Sequence, residues 1–329
     1  ISGDIAAPVI AVLICIFLIR RNVMHIRRFE GIEMKHISHL DANIALTIIL
    51  ILMLSLSGMN AGYCAMMVAS GGELHGVYPF AAYVAGFLSG LDNEQLELFY
   101  NFNWWLHIGL IFVFANILPY SKHFHVFMSV PNVFLARLEP LGKLYNMENV
   151  TREVKLMLNP DMPAPADASP IQRFGVKDAE DVVWNTYFSS LACTECGRCT
   201  SVCPANITGK KLSPRKVMMD LRARMKEKGP QLLKNKEFND NKSLIRDYVS
   251  ETEIWACTTC NACAQECPIN INHPSLIIDM RRYLVMEEGS APGELKSIFS
   301  NMENNGAPWQ YSPEDRLLWA KDLEIASKQ

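Results

Sequence analysis

The sequence predicts a mainly α-helical protein in which a transmembrane helical bundle precedes a cysteine-rich soluble domain. The chain has 329 residues, of which 50% are hydrophobic, and its mean hydropathy of +0.07 is high for a wholly soluble protein. Residues 36–121 contain no Lys or Arg, whereas residues 122–329 carry both signs of charge throughout. Eight of the ten cysteines lie in two short runs within the charged part. The composition therefore predicts that the first part lies in a bilayer and the second in water.

Three apolar stretches predict membrane-spanning helices at about residues 5–19, 42–69 and 99–120. A fourth stretch, Val77–Leu91, is short for a hydrocarbon core of ~30 Å and contains Pro79, which favours an interfacial or re-entrant helix. We therefore predict a membrane domain over residues 1–138 with three spans.

Basic residues flank the spans on one side only, and they predict the orientation. The loop over residues 70–98 has acidic residues but no Lys or Arg, which suits the outer side. The cytoplasmic side is predicted by the basic residues between the first two spans and after the third: Arg20, Arg21, Arg27, Arg28, Lys35, Lys122, Arg137 and Lys143. The net charge of −3 and the absence of a long basic run give no indication of nucleic-acid binding.

The two cysteine runs share the spacing Cys-x2-Cys-x2-Cys-x3-Cys-Pro. In the bacterial ferredoxin arrangement, three cysteines of such a run bind one [4Fe–4S] cube and the fourth binds the other cube. We therefore predict two clusters, the first held by Cys193, Cys196, Cys199 and Cys267, and the second by Cys257, Cys260, Cys263 and Cys203.

Zinc is the alternative metal, because paired Cys-x2-Cys units also build zinc sites. Four cysteines within eleven residues, closed by Pro and repeated, suit iron–sulfur clusters better. A catalytic role for the thiols is disfavoured because no spare cysteine lies near either run.

Helix signals surround the runs and predict an α-helical ferredoxin domain over residues 191–289. Ser213-Pro214 predicts a helix that runs toward Gly229, and His273-Pro274 predicts one that ends near Gly289. Residues 139–190 are predicted to be a connector, with a proline-rich linker at about 162–169 and a helix over 171–190.

Two histidines, one in the third span and one shortly after it, are candidate metal ligands. His107 and His125 are 18 positions apart, which is about five turns of one helix and ~27 Å along its axis. On a continuous helix both would project from one face, one near each membrane surface. His39 and His123 are weaker candidate ligands. Alternatively, His107 bonds to a neighbouring helix, and His123 and His125 lie in the headgroup layer.

The order and spacing of His107, Pro119, Ser121, Lys122 and His125 resemble the last helix of the nitrate reductase gamma subunit family of b-type cytochromes. The resemblance implies that His107 and His125 are axial ligands of b haems. One departure is that residues 42–69, where that family has further ligands, contain no His. The candidates for those ligands are His25, His36, His39 and His75.

Three further stretches, Leu191–Asn206, Trp255–Cys263 and Met302–Trp309, resemble fused cytochrome-b-type and iron–sulfur proteins related to heterodisulfide reductase, including electron-transfer flavoprotein:menaquinone oxidoreductases. The resemblance spans about residues 99–329 and implies a multi-pass protein of a bacterial or archaeal inner membrane, with its clusters on the cytoplasmic side. Longer relatives continue into catalytic domains with Cys-Cys-Gly pairs. This chain has no Cys-Cys pair, so we expect a separate catalytic subunit that docks on residues 290–329.

The function that these observations favour is electron relay through two clusters between a cytoplasmic partner and the menaquinone pool, with or without b haem. That partner is either a Cys-Cys-Gly catalytic subunit or an electron-transfer flavoprotein. The alternative is a non-haem membrane anchor with iron–sulfur clusters that serves a separate catalytic subunit. A reductase that acts alone is disfavoured. A quinone site is expected near Trp104, Trp105 or His123, although aromatic residues there also suit an interfacial belt.

Overall fold

Helices account for 69% of the computed structural model, which describes residues 2–24, 26–31, 33–34, 36–159 and 173–321. The described residues form no β-strand. The predicted fold class, a transmembrane helical bundle followed by an α-helical domain, is confirmed. The predicted linker at 162–169 lies outside the described residues.

The described part of the chain contains fourteen α-helices, numbered here in chain order. They are α1 Ser2–Asn22, α2 His36–Ala69, α3 Pro79–Ala85, α4 Asn93–Ile117, α5 His125–Phe134, α6 Glu148–Leu158, α7 Trp184–Ala192, α8 Arg198–Ser201, α9 Pro204–Ile207, α10 Pro214–Lys234, α11 Glu251–Ala256, α12 Ala262–Gln265, α13 His273–Arg282 and α14 Gly293–Asn305.

The membrane half is built around α2, which packs against both α1 and α4. These three helices are long and apolar enough to cross a bilayer, and they coincide with the three predicted spans. Pro79–Leu88 is a shorter apolar helix. The carboxylate of Asp4 holds it against α1 by accepting the backbone N–H groups of Phe80 and Ala81 at 2.8 and 3.2 Å.

Small residues on α2 let α4 approach closely. A Cβ at Gly58 would lie 2.6 Å from the side-chain oxygen of Asn103, and a Cβ at Gly62 would lie 3.2 Å from the ring of Phe99. Spacing of small residues by four positions brings helix backbones together in membranes, where dispersion contacts drive association.

The helix of the third span ends before His125, so the condition under which His107 and His125 would project from one helix face is not met. After α4 the chain makes single 3₁₀ turns at Leu118–Tyr120 and Lys122–Phe124, separated by Ser121 in an extended conformation. Pro119 lacks the N–H that a continuing helix would need. The Asp41 carboxylate accepts the Ser121 hydroxyl and the Lys122 N–H, each at 2.9 Å, and so stabilises the break.

The soluble half has an apolar core between α10 and α13. Ser213 caps α10 by accepting the Lys216 N–H, and Pro214 occupies the first turn. Both helices that the sequence predicted here are present. The core side chains are fully buried and include Val217, Met218, Leu221, Leu276, Ile277 and Met280.

The segment before the first cysteine run is irregular, so the prediction of a helix over 171–190 is wrong for its described first half. α7 begins only at Trp184. Upstream, Gly175 adopts φ +74°, and the Val176 N–H donates to Asp279 O at 3.0 Å. Asp178 is buried and binds Arg224 and Lys228, each at 2.7 Å. Contacts with α10 and α13 therefore replace local helix formation.

Helix α5 joins the membrane surface to the soluble half. It packs along α7, and Asn132 donates to Ile269 O at 2.7 Å while accepting the Ser189 hydroxyl at 2.8 Å. One asparagine thus contacts the helix before the first cysteine run and the loop after the second.

Candidate metal centre

Both cysteine runs adopt the same backbone course. Each follows a short helix, α7 or α11, and passes through another, α8 or α12. Positive φ values fall at matching offsets, at Glu195 and Gly197 in the first run and at Thr259 and Asn261 in the second. Left-handed residues at these two points reverse the chain locally, which turns successive cysteines toward one side.

An arginine clamps the start of each run from a neighbouring helix. Arg222 of α10 donates to Cys193 O at 2.9 Å, and Arg281 of α13 donates to Cys257 O at 2.6 Å. Each also reaches the carbonyl three residues earlier, at 3.5 and 2.8 Å respectively. No pattern in the sequence marks this pair of arginines, because they lie at different distances from their cysteine runs.

The cysteines form two groups that exchange their last members. One pocket is lined by Cys193, Cys196 and Cys199 of the first run together with Cys267 of the second. We call these four the first cysteine set. Cys257 and Cys263 of the second run each lie within electrostatic range of Cys260 and of Cys203 of the first run, and we call these four the second cysteine set.

The two sets differ in exposure. All four members of the first set are buried or half-buried, whereas Cys260 of the second set is exposed. The nearby Ile207 is 67% exposed. The second set is therefore the one open to a partner protein.

The thiols have an environment that disfavours their charged form. Burial raises the pKa of Cys193 to about 11 and that of Cys263 to about 12, and it raises the pKa of Cys199 further. The guanidinium of Arg222 acts in the opposite direction at Cys193. Thiolates at these positions need nearby positive charge, which iron supplies when bound.

The donor set fits an iron–sulfur cube better than a single ion. Within the described residues, no three His, Cys, Asp or Glu side chains converge closely enough to hold one metal ion. A cube spreads its four thiolate ligands around a larger body than one zinc ion does. The pocket of the first set, with four cysteines in its mostly apolar lining, suits that larger group.

His273 lies at the same pocket as the first set. Its side chain is fully buried, burial lowers its pKa to about 4, and its Nδ1 has no hydrogen-bond partner in the described structure. The ring is therefore neutral at physiological pH. As expected from sequence, His273 also opens α13.

The basic loop between α1 and α2 docks on the first run. Arg215 of α10 is 1% exposed and donates to Arg28 O at 2.6 Å, to Glu30 O at 3.0 Å and to the Glu33 carboxylate at 2.7 Å. Ser213 also donates to Glu33 at 2.7 Å. Burial alone would raise the pKa of Glu33, but these donors bring it below its ordinary value.

Glu195 joins the first run to the membrane half through its carboxylate. It lies between Cys193 and Cys196, is buried, and accepts hydrogen bonds from Arg222 and from Ser38 at the start of α2. Lys122, at the end of the third span, lies 3.7 Å from it and donates to Ser38 O at 2.8 Å.

His107 points at α2. Its Nδ1 lies 3.1 Å from Leu52 O and 3.0 Å from the Ser55 hydroxyl. The contacts of His107 match the alternative in which it bonds to a neighbouring helix.

Among the remaining candidate haem ligands, His123 and His125 make contacts with residues close to them in the chain. Nδ1 of His123 is 3.2 Å from the Ser121 hydroxyl, and Nδ1 of His125 is 2.9 Å from Lys122 O. His39 is half-buried at the start of α2 and His75 is exposed. His25 and the side chain of His36 fall outside the described structure.

Comparison with known proteins supports the iron–sulfur interpretation. Residues 192–271 match the model of a 4Fe-4S dicluster domain. The chain is 32% identical over 280 residues to the probable iron-sulfur-binding oxidoreductase FadF of Bacillus subtilis, covering 75% of this chain and 37% of that protein. It is 32% identical over 269 residues to the EtfAB:quinone oxidoreductase of Syntrophomonas wolfei, covering 75% and 35%.

A third relative is a probable membrane-anchored ferredoxin of Chromohalobacter salexigens, 34% identical over 165 residues, covering 46% of this chain and 25% of that protein. The chain spans little more than a third of the length of the first two relatives. No solved structure matches. The chain carries a 4Fe–4S dicluster domain and is a homologue of FadF-like iron–sulfur oxidoreductases, of EtfAB:quinone oxidoreductase and of heterodisulfide reductase subunits C and D.

Proposed function

We propose that this protein is a membrane-bound electron-transfer subunit that relays electrons between a cytoplasmic redox partner and the quinone pool. The observation that carries the proposal is the polarity of the two cysteine sets. Gly197 in the run of the first set lies against Arg28 O of the membrane loop, and Arg215 bridges Arg28 O and Glu195 O, whereas the second set exposes Cys260. Electrons pass between partner and membrane through the second set and then the first.

The first cysteine set is proposed to hold one [4Fe–4S] cluster and the second set the other. Bound clusters supply one-electron transfer. The protein's own residues hold them: Arg222 and Arg281 fix the start of each run, and the apolar core packs around Cys193 and Cys203. The exchange of Cys203 and Cys267 between runs keeps the two clusters adjacent, which suits transfer between them.

The proposed partners are menaquinone on the membrane side and, on the cytoplasmic side, an electron-transfer flavoprotein or a Cys-Cys-Gly catalytic subunit. The printed name of the Syntrophomonas relative supports both a flavoprotein and a quinone. The chain is then a quinone-linked oxidoreductase subunit that we do not expect to be catalytic without its partner.

The C-terminal region 290–329 is proposed as the docking segment for that partner. α14 buries none of its residues. Beyond it, Trp309, Tyr311, Leu317 and Trp319 are each at least 66% exposed. Large apolar side chains exposed together favour a protein contact over a solvated extension.

The cluster domain is proposed to face the cytoplasm of a bacterial or archaeal cell. The basic loop between α1 and α2 contacts this domain through Arg28 O and Glu33, so both lie on one side of the bilayer. An excess of basic residues marks cytoplasmic loops.

Direct reaction of quinone with the first cluster, without an intervening haem, is the version that the geometry favours. The helix break at Ser121 separates His107 from His125, and His107 is engaged by Leu52 O and the Ser55 hydroxyl. Haem ligation by His107, His125, His39 or His123 remains a hypothesis for a spectrum to decide.

The test uses the whole chain in lipid nanodiscs with menaquinone. The clusters are reduced with one equivalent of dithionite per cluster, and their reoxidation is followed by electron paramagnetic resonance. We expect reoxidation only when menaquinone is present. Clusters that are reduced normally but exchange no electrons with menaquinone or menaquinol would contradict the proposal. A reduced-minus-oxidised spectrum of the same sample reports any b haem, and stoichiometric haem would exclude the haem-free route.

A further inference from the structure

A cleft lies where the membrane half meets the dicluster domain. One wall is the end of the third span and the start of α2, including Tyr120, Lys122 and Asp41, and the other wall is α10. The cleft has a volume of about 620 Å³, which lies within the range of pockets that bind small organic ligands.

The cleft adjoins the first cysteine set directly. Glu195, which lies between Cys193 and Cys196, lines it. Arg222 also lines it and donates to Cys193 O at 2.9 Å. A redox-active ligand in this cleft is therefore separated from the first cluster by a single layer of side chains.

The depth of the cleft suits a molecule that is anchored in lipid. The spanning parts of α2 and of the third span begin at Ser38 and end at Tyr120, and both residues line the cleft. Tyr120 is 84% exposed at the mouth. A ring at this level has access to water on one side, while an apolar tail extends along the span into the bilayer.

The charges in the cleft suit a ligand with carbonyl oxygens that gain protons. Lys226 of α10 lines the cleft, and its ammonium group makes no hydrogen bond or ion pair with the described residues. Lys122, in contrast, is engaged by Ser38 and Glu195. Lys226 lies within the field of Asp41 and Glu195, and partial burial lowers its pKa. It is therefore an available donor that releases a proton more readily than an ordinary lysine.

We propose that this cleft binds the quinone head group, with Lys226 as the donor to one carbonyl oxygen. The inference rests on the proposed function and assigns its quinone site to the cleft rather than to Trp104 and Trp105. Along the helix axis, about 24 Å separate Trp104 from Tyr120 at the cleft. Of the three residues near which the sequence predicts a quinone site, His123 is close to the cleft, and the two tryptophans are distant from it.

The reaction in the cleft balances as follows. The quinone accepts two electrons, delivered singly from the reduced clusters, which are oxidised. Each carbonyl oxygen gains one proton and becomes a hydroxyl. Lys226 gives one of these protons and is reprotonated from the aqueous side, and water admitted beside Asp41 supplies the other. Quinol oxidation is the reverse of these steps.

The test measures binding of 2-heptyl-4-hydroxyquinoline N-oxide, a fluorescent quinone analogue, to the whole chain in nanodiscs by fluorescence quenching. We expect the dissociation constant to rise about tenfold or more in Lys226→Met. Lys210→Met is the matched control, since Lys210 is exposed in the same domain and outside the cleft, and it should bind as the wild type does. A second variant, Ala223→Trp, fills the cleft from α10 and should abolish binding.

Iron content and the electron paramagnetic resonance spectrum of the dithionite-reduced clusters are measured for each variant. Values equal to those of the wild type show that the variant is folded. Wild-type affinity in both Lys226→Met and Ala223→Trp, with menaquinone still reoxidising the clusters, would overturn the cleft assignment and leave the relay standing. Failure of the wild-type chain to bind the analogue would also overturn the cleft assignment, and failure to exchange electrons with menaquinone would overturn the relay as well.

Discussion

The carbonyl oxygen of Arg28 lies so close to Gly197 that a Cβ at the glycine would stand 2.2 Å from it. Gly197 also has φ +76°, at the turn between two cysteines of the first run. One residue thus meets a conformational and a steric requirement at the contact between the membrane loop and the cysteine run. Four predictions follow from this contact and from the site around it.

Gly197→Ala should loosen the docked loop and reduce the iron content. Left-handed backbone costs an alanine about 1–2 kcal/mol, and the contact with Arg28 O adds to that cost. Gly209→Ala is the matched control, because Gly209 has φ +81° with nothing within 4 Å of a Cβ. It should show the conformational cost alone. Thermal unfolding and iron per chain measure both, and equal losses in the two variants would contradict the steric argument.

Acid should destabilise the junction through Glu33. Its pKa in the folded protein is below the ordinary value of 4.5, so the ionised carboxylate stabilises the fold fully above that value. This stabilisation is lost as the pH falls through the lower folded pKa. Removing one partner of such a buried pair costs ~3–5 kcal/mol. Glu33→Gln should therefore be less stable at pH 7 and should show a shallower decline between pH 5 and pH 3 in thermal unfolding.

Paired cysteine substitutions test the exchange between runs. Cys193→Ala with Cys267→Ala alters only the first set, so one cluster's worth of iron should remain. Cys193→Ala with Cys203→Ala alters both sets, so little iron should remain. Ligation within each run predicts the opposite ranking. Iron analysis of purified chains decides between them, with Cys15→Ala, in α1 and away from both sets, as the control.

The two arginine clamps should tune one cluster each. Loss of a nearby cation lowers the reduction potential of a cluster, because the reduced form carries more negative charge. Arg222→Gln should shift one resonance signal to lower potential, and Arg281→Gln should shift the other. Redox titration followed by electron paramagnetic resonance separates the two signals. Shifts of the same signal by both substitutions would show that the two arginines do not serve separate clusters.

Local patterns in the sequence were enough to predict the spans, the cysteine runs and the helix that begins at Pro214. Each of these depends on residues close together in the chain, such as an apolar stretch or a Ser-Pro cap. The exchange of the last cysteines between the runs is a further prediction from spacing, because the ferredoxin run has a general form.

Contacts between distant residues decided the remainder. Asp41 stabilises the break after α4 from 80 positions away, so counting turns from His107 to His125 gave the wrong register. Arg215 reaches Arg28 across 187 positions, and nothing near either residue signals that contact. The cleft consists of α2, the end of the third span and α10, and no single segment of the sequence predicts it.

The matching backbone courses of the two runs differ at one equivalent position, where the first has Gly197 and the second has Asn261. A side chain at that point leaves no space for an approaching carbonyl oxygen. The membrane loop can therefore dock on the first run, where Gly197 leaves this space, whereas Asn261 places a side chain at the same point of the second run. The absence of one side chain thus helps to decide which of two similar cysteine runs contacts the membrane half, while the second run keeps Cys260 exposed.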